Sequence, residues 1–404
     1  MTISRLTIHI SILGIVFLML GTELNVAFAE INPGNKYESE CVPIASWVVP
    51  GGEKISNAEV ISRAANQSVV LLGEAHATLE HHRWQLQMLV SLHTQHPDMV
   101  IGFEMFPRRV QKVLDQWVAG DLSVAEFLDA TDWEHGWSID ADAYLPLFHF
   151  ARMNQIPMVA LNIDERLRKE ISLKGFDGML EGKLKGVTRP AEPSAAYLDY
   201  LMPIYKKHDR GSKDRGEISL DDLDFRRFVG GQQLWDRVMA QALYSALSRP
   251  GPPLVVGVMG AGHIRHGYGV PHQLKDMGIE NIAMLLPWES NKACKQLVTG
   301  IADAVFGVAS HADMHVPPRQ QLGIRFEMAQ NGARIIQIKK GSVAEAAGIK
   351  DGDIITEIAG LEVKQINDVV VVVQRQAPGT WLPLRVSRGS EIVEIVAKFS
   401  VVMQ

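Results

Sequence analysis

Residues Ser68–His76 read SVVLLGEAH. The apolar run Val69–Leu72 stops at Gly-Glu-Ala-His, and in the segment that follows Trp84, Met88 and Leu92 recur four apart. That interval is the repeat of one face of a helix. A buried strand that stops at a glycine and opens into a helix is the repeating unit of an α/β sheet, which binds ligands beyond the carboxyl ends of its strands. Glu74 and His76 stand at that edge. An acid beside an imidazole suits proton transfer or metal ligation. The two residues taken alone equally fit a helix cap and a satisfied histidine.

Outward from this stretch the same alternation continues. Met99–Phe103 is a second strand, again followed by an acid, Glu104. Pro157–Leu161 and Leu254–Met259 are the third and fourth, and Ile282–Leu286 closes the series. Between them lie helical segments: one from Ile55 with Ser56 or Asn57 as cap, then Arg108–Val118, Ser123–Leu128, Ala143–Met153, Asp164–Ile171 and Asp224–Leu247. Ser123 and Glu126 have the spacing of a capping box. Strands alternating with helices predict an α/β fold, a parallel or mixed sheet flanked by helices. Asp132–Trp137, DWEHGW, reads as a packed loop anchored by two tryptophans or as a ligand wall. Gly175–Arg215, rich in Gly and Pro, reads as an insertion over the sheet edge.

The chain has 404 residues, too many for one ordinary core, so two domains are expected. Hydrophobic content of 47% and charged content of 21% fit a globular protein. A net charge of −6 with no long basic run argues against nucleic acid as a partner. Arg5, the apolar stretch Ile8–Leu20 and Ala27-Phe28-Ala29 have the pattern of a secretory signal peptide cleaved after Ala29, with an uncleaved anchor as the alternative. An exported, periplasmic location follows as an expectation. Two cysteines, Cys41 and Cys294, exclude a disulfide scaffold, and the residues leave open whether they pair.

After Arg319 the character changes to short β-branched runs between glycine turns: Ile335–Ile338, Ile354–Ile358, Val369–Val373 and Ile392–Val396. The expected boundaries are a signal peptide at 1–29, a lead-in at 30–54, the α/β domain at 55–290, a linker at 291–319 and a small β-rich domain at 320–404.

Parallel strands hold their ends on one edge, so Glu74, His76, Glu104 and His263 are expected around one cleft. They are the candidate catalytic residues. His76, Glu104 and His263 are candidate ligands of a divalent metal, and acid–base catalysis without metal is equally open. The Gly-x-x-His pattern of Gly73–His76 is repeated at Gly260–His263. Arg265, His266 and Tyr268, just after it, can receive an anionic group.

GEAH at Gly73–His76, GFEMF at Gly102–Phe106, DWEHGW, YLPLF at Tyr144–Phe148, VALN at Val159–Asn162 and MGAGHIRHGYGVP at Met259–Pro271 resemble the ChaN-like haem-binding family over about Val69–Pro287. The resemblance implies an α/β fold, surface binding of haem, a homodimer that stacks two haems, and a part in bacterial iron uptake. It also implies a tyrosine as iron ligand, for which Tyr205, Tyr200 and Tyr268 are candidates, with His263, Arg265 and His266 as further haem contacts. The same motifs resemble the wider Tiki/TraB and erythromycin-esterase-like proteins, which implies a hydrolase as the alternative. Leu322-Gly323-Ile324, Gly341–Ala344 and Gly352–Ile355 resemble a bacterial PDZ domain. Leu322, Gly323, Ile324 and Phe326 would then receive a peptide C-terminus. A third reading makes the PDZ domain a scaffold attached to an inert first domain.

Overall fold

The computed structural model describes residues 41–137, 139–164, 166–167, 170, 187–208, 218–248, 251–310 and 320–401. The expected signal peptide lies outside them, as do parts of the 175–215 insertion. The chain divides into two compact units, Met1–Ala309 and Ser310–Gln404.

The first unit holds one sheet of eight strands: β1 Trp47–Val48, β2 Lys54–Ile55, β3 Val69–Glu74, β4 Met99–Pro107, β5 Met158–Asn162, β6 Leu254–Gly260, β7 Ile282–Glu289 and β8 Ala304–Val308. Their order is β2-β1-β8-β7-β3-β6-β4-β5. The strands from β8 to β5 run parallel, and β1 and β2 complete the sheet antiparallel. The sheet is mixed and flanked by helices on both faces.

Alternation along the strands explains the layers, since successive side chains of a strand leave on opposite faces. Val70 and Leu72 enter the core shared with α1 Asn57–Ala65, α2 Leu79–Gln95, α3 Gln111–Ala119, α4 Val124–Ala130, α5 Trp133–Gly136 and α6 Leu145–Met153. Val69 and Leu71 enter the opposite core, built with α8 Leu223–Leu247 and α9 Val270–Asp276. Between those two in the chain, α7 Ala195–His208 packs on α8 through Tyr197, Leu201, Tyr205, Phe225 and Val229. Ser56 caps α1, and Ser123 with Glu126 closes the capping box of α4.

Two boundaries differ from the sequence reading. The expected linker 291–319 contains β8, so Ile282–Leu286 is not the last strand. Ala304–Val308 is short, but it pairs in register with Leu285–Glu289 and buries Val305 completely. The expected lead-in likewise contains β1 and reaches into β2.

The second unit is an antiparallel sheet in the order β14-β13-β11-β10-β9. Its elements are β9 Ile324–Ala329, β10 Gly332–Ile338, α10 Val343–Ala346, β11 Ile354–Ile358, β12 Leu361–Glu362, α11 Ile366–Gln374, β13 Trp381–Arg388 and β14 Glu391–Lys398. Val369–Val373, read above as a β-branched run, is inside α11. Val369 and Val373 are four apart and both buried, so helical spacing puts them on one core-facing side. Tertiary burial there outweighs the β preference of valine.

Candidate functional site

Strand β6 lies between β3 and β4, so three consecutive strand ends meet at the carboxyl edge. Register pairs Glu74 with Gly260 and Phe103 with Val258. Glu104 thus lies one residue beyond its ladder, and the Gly260 N–H donates to its Oε2 at 2.6 Å. A Cβ at Gly260 would lie 2.9 Å from His76 Cε1, 3.1 Å from His76 Nε2 and 3.5 Å from Glu104 Oε2. Glycine here lets an imidazole and a carboxylate close over the strand end. The structure therefore brings Glu74, His76, Glu104 and His263 to one place.

Glu74 is buried. Its Oε1 accepts from the Tyr144 hydroxyl at 2.6 Å and lies 2.7 Å from His76 Nδ1, while His82 Nδ1 lies 3.3 Å from Oε2. Burial alone would raise the Glu74 pKa, but the hydrogen bonds and charges of His76 and His82 bring it down to about 2. His82 Nε2 faces the His76 carbonyl and its Nδ1 faces Gln85 Oε1. Gln85 spends its own N–H groups on the Leu72 and Gly73 carbonyls. The groups facing the two His82 ring nitrogens are all acceptors, which suits an imidazolium. Burial opposes that charge, yet contact with Glu74 leaves the His82 pKa raised.

His263 has a matching surround. Its Nδ1 is 2.6 Å from Asp236 Oδ1 and its Nε2 is 3.4 Å from Glu104 Oε1. Asp236 also accepts from the Tyr197 hydroxyl at 2.8 Å. Burial works against the imidazolium, but the carboxylates of Glu104 and Asp236 raise its pKa to about 10. His76 differs in being half-exposed, with the Trp137 ring edge-on at 4.7 Å. Burial is again outweighed by Glu74 and Glu104, which raise its pKa. Of the site's imidazoles, His76 is the one exposed enough to exchange protons with a molecule from solvent.

DWEHGW divides its roles. Trp133 is core, packed on Phe106, Tyr144 and Phe148, whereas Trp137 walls His76. Sequence reasoning missed His82, Tyr144, Asp236 and Tyr197. Asp236 did leave a trace: it shares a helical face with Met239, Ala240 and Leu243, and an acid among apolar residues needs a partner.

The metal ligands expected from sequence are already engaged. His263 is held between two carboxylates as an imidazolium, and the Nδ1 of His76 is committed to Glu74. Among the described residues no group of three His, Cys, Asp or Glu side chains is arranged to hold a metal ion.

The haem-contact candidates fall beside this site. Tyr200, His266 and Tyr268 form a half-buried cluster, with His266 stacked on Tyr268 at 5.1 Å and T-shaped to Tyr200 at 5.7 Å. His266 takes a left-handed backbone, φ 60°, which is uncommon outside glycine and concentrates at binding sites. Burial and the neighbouring Arg265 lower its pKa, so the ring is neutral near pH 7. Arg265 Nε is buried and makes no hydrogen bond among the described residues. Tyr205 lies elsewhere, buried against Phe225 and Phe228. Tyr144 and Tyr197 donate to carboxylates, and burial beside those charges drives both phenol pKa values far up. Neither is suited to become a phenolate.

In the second unit, β9 is the sheet edge and Gly323 precedes it with φ +78°. A Cβ at Gly323 would lie 2.4 Å from Ser342 Cβ. Leu322 and Gly323 turn their carbonyls to the Ala344 and Lys339 N–H groups. In trans peptides the N–H groups of Gly323 and Ile324 then point the opposite way. Leu322 is only 3% exposed and belongs to the core, a correction to its expected place in the peptide pocket. Ile324 and Phe326 are half-buried.

The profile of a haem-binding uptake family of the Tiki superfamily, ChaN, matches residues 60–274, and a PDZ domain profile matches residues 320–398. Among solved structures, ChaN of Campylobacter jejuni, described with cofacial heme binding, is similar at a TM-score of 0.50 and 17% identity, over 64% of this chain and 95% of that one. The HtrA3 PDZ domain bound to a phage-derived ligand matches 20% of this chain and 84% of its own, at 22% identity and a TM-score of 0.18. The serine endoprotease from Yersinia pestis matches 20% of this chain and 29% of its own, at 22% identity and a TM-score of 0.19. No curated protein matches the chain.

Proposed function

The chain belongs to the ChaN haem-binding uptake family of the Tiki superfamily, and from that premise we propose that it is an exported protein that takes up or hands on haem, with its PDZ domain recruiting peptide C-termini. The observation that carries this reading is the Tyr200–His266–Tyr268 cluster beside Arg265. Haem brings a flat macrocycle, an iron that needs an axial nitrogen or oxygen, and two carboxylates. The cluster offers half-buried aromatic surface, a neutral imidazole and two tyrosines not bound to carboxylates among the described residues. Arg265 offers a buried donor with no partner among the described residues, which suits a propionate. A homodimer is part of the proposal, in keeping with the cofacial heme binding described for the Campylobacter jejuni relative.

Added haemin is expected to give a saturable Soret shift. Tyr268→Phe, Tyr200→Phe and His266→Ala, tested separately, identify the ligand by which one changes the spectrum, and Arg265→Gln should weaken binding without changing it. A titration indistinguishable from haemin in buffer rejects the reading.

One observation favours a second activity. The haem reading makes no use of the pairs Glu74–His76 and Glu104–His263, in which His76 is half-exposed and the other three side chains are buried. They suit metal-free hydrolysis, with His76 as general base oriented through its Nδ1 by Glu74. Hydrolysis of an ester or amide panel that His76→Ala abolishes, and that a chelator leaves intact, is the expected result. Equal rates in the variant and the parent remove this reading.

A further inference from the structure

The chain has two cysteines, and the fold brings them together although they are far apart in sequence. Residues leading into β1 are fastened to β8: Ala45 N–H donates to the Gly307 carbonyl at 2.9 Å, and Ile44 bridges Gly307. Val42 is 1% exposed, in the same core cluster as Trp288 and Leu297. Cys294 opens the single turn Cys294–Gln296 in the connection from β7 to β8. The incoming chain therefore meets this connection, and the Cys41 thiol is hydrogen-bonded to the Cys294 thiol. Cys41 is half-buried and Cys294 exposed.

We propose that Cys41 and Cys294 form a disulfide that fastens the segment leading into β1 to the β7–β8 connection. The oxidant is a disulfide of the glutathione or oxidoreductase class. The exposed Cys294 loses its proton and attacks one sulfur of that disulfide, releasing one thiol. Cys41 then loses its proton and attacks the Cys294 sulfur of the mixed disulfide, releasing the second. Two thiols of the protein are oxidised and one external disulfide is reduced to two thiols. The bond has a physical purpose here. The β1 ladder is only two residues long on each side, too short to hold the edge of the sheet by itself. A cross-link spanning most of the domain removes many conformations from the unfolded chain.

The test treats the folded full-length chain with oxidised glutathione, then counts thiols under denaturing conditions and maps peptides. The expected result is loss of both thiols, a Cys41–Cys294 linked peptide, and a melting temperature several degrees above the reduced protein. Hydrogen exchange at residues 42–48 should slow in the same sample. Cys41→Ser and Cys294→Ser should match the reduced parent under both conditions, and the reduced parent itself supplies the comparison if either variant folds poorly. Two free thiols after oxidation, cross-links between chains only, or a linked protein that melts and exchanges like the reduced one would overturn the proposal.

Discussion

His263 is buried between Asp236 and Glu104, and its charge ties the turn after β6 to α8 and β4. Its pKa rises from an ordinary 6.5 to about 10 in the folded protein. A folded-state pKa above the unfolded value means that the stabilisation is complete below about 6.5 and is lost as pH climbs toward about 10. The melting temperature of the parent should therefore fall across this interval. His263→Gln should melt lower near pH 6 and show a flatter profile above it. Equal slopes in parent and variant would show that another group titrates there. At this scale the sequence was partly legible. Glu74, His76, Glu104 and His263 could be found because each follows an apolar run that stops abruptly. Tyr144 and Tyr197 could not, because their hydrogen bonds reach Glu74 and Asp236, 70 and 39 residues away, and leave no local pattern. The repeated Gly-x-x-His was visible, but not that its copies are offset. Gly260 pairs with Glu74, not with Gly73, and so one histidine stays half-exposed while the other is buried.

Elements show where local preference and burial part company. The long parallel strands were legible because burial on both faces demands continuous apolar runs. Strand β8 was not, since five residues between irregular segments carry too little pattern, and its pairing with β7 decides its state. Helix α11 was misread for the opposite reason: five consecutive valines have the composition of a strand. Its cap argues for the helix independently. Asp368 accepts from the Lys364 and Gln365 N–H groups at 2.7 and 2.9 Å, closing a capping box at the first turn. Without that carboxylate the valines lose the feature that starts them as a helix. Asp368→Ala should cost about 1 kcal/mol, read as a lower urea midpoint of the PDZ domain, with no change in the ChaN domain. An unchanged midpoint would mean that valine burial alone holds α11 in place.

The whole molecule is two units with separate cores, and the core of the second is drawn from Leu322 to Phe399. This division was legible because composition changes abruptly near residue 320, although β8 extends the first unit further than the sequence indicated. A self-contained core predicts that a Gln321–Val401 fragment folds alone. Its edge strand β9 can add a peptide strand, and the outward N–H groups of Gly323 and Ile324 are placed to meet a terminal carboxylate. The half-buried Ile324 and Phe326 then favour an apolar last residue. Affinity should be modest, on the order of micromolar, since two apolar anchors and a carboxylate must offset the ordering of a flexible peptide. Amidating the peptide should remove binding, because the amide replaces the charge that the loop receives. Gly323→Ala should weaken it as well, since φ +78° is strained for alanine and its Cβ would press on Ser342. If the amidated peptide binds as well as the free acid while Gly323→Ala still folds, the loop does not recognise a carboxylate, and whatever β9 binds is held by its strand edge alone.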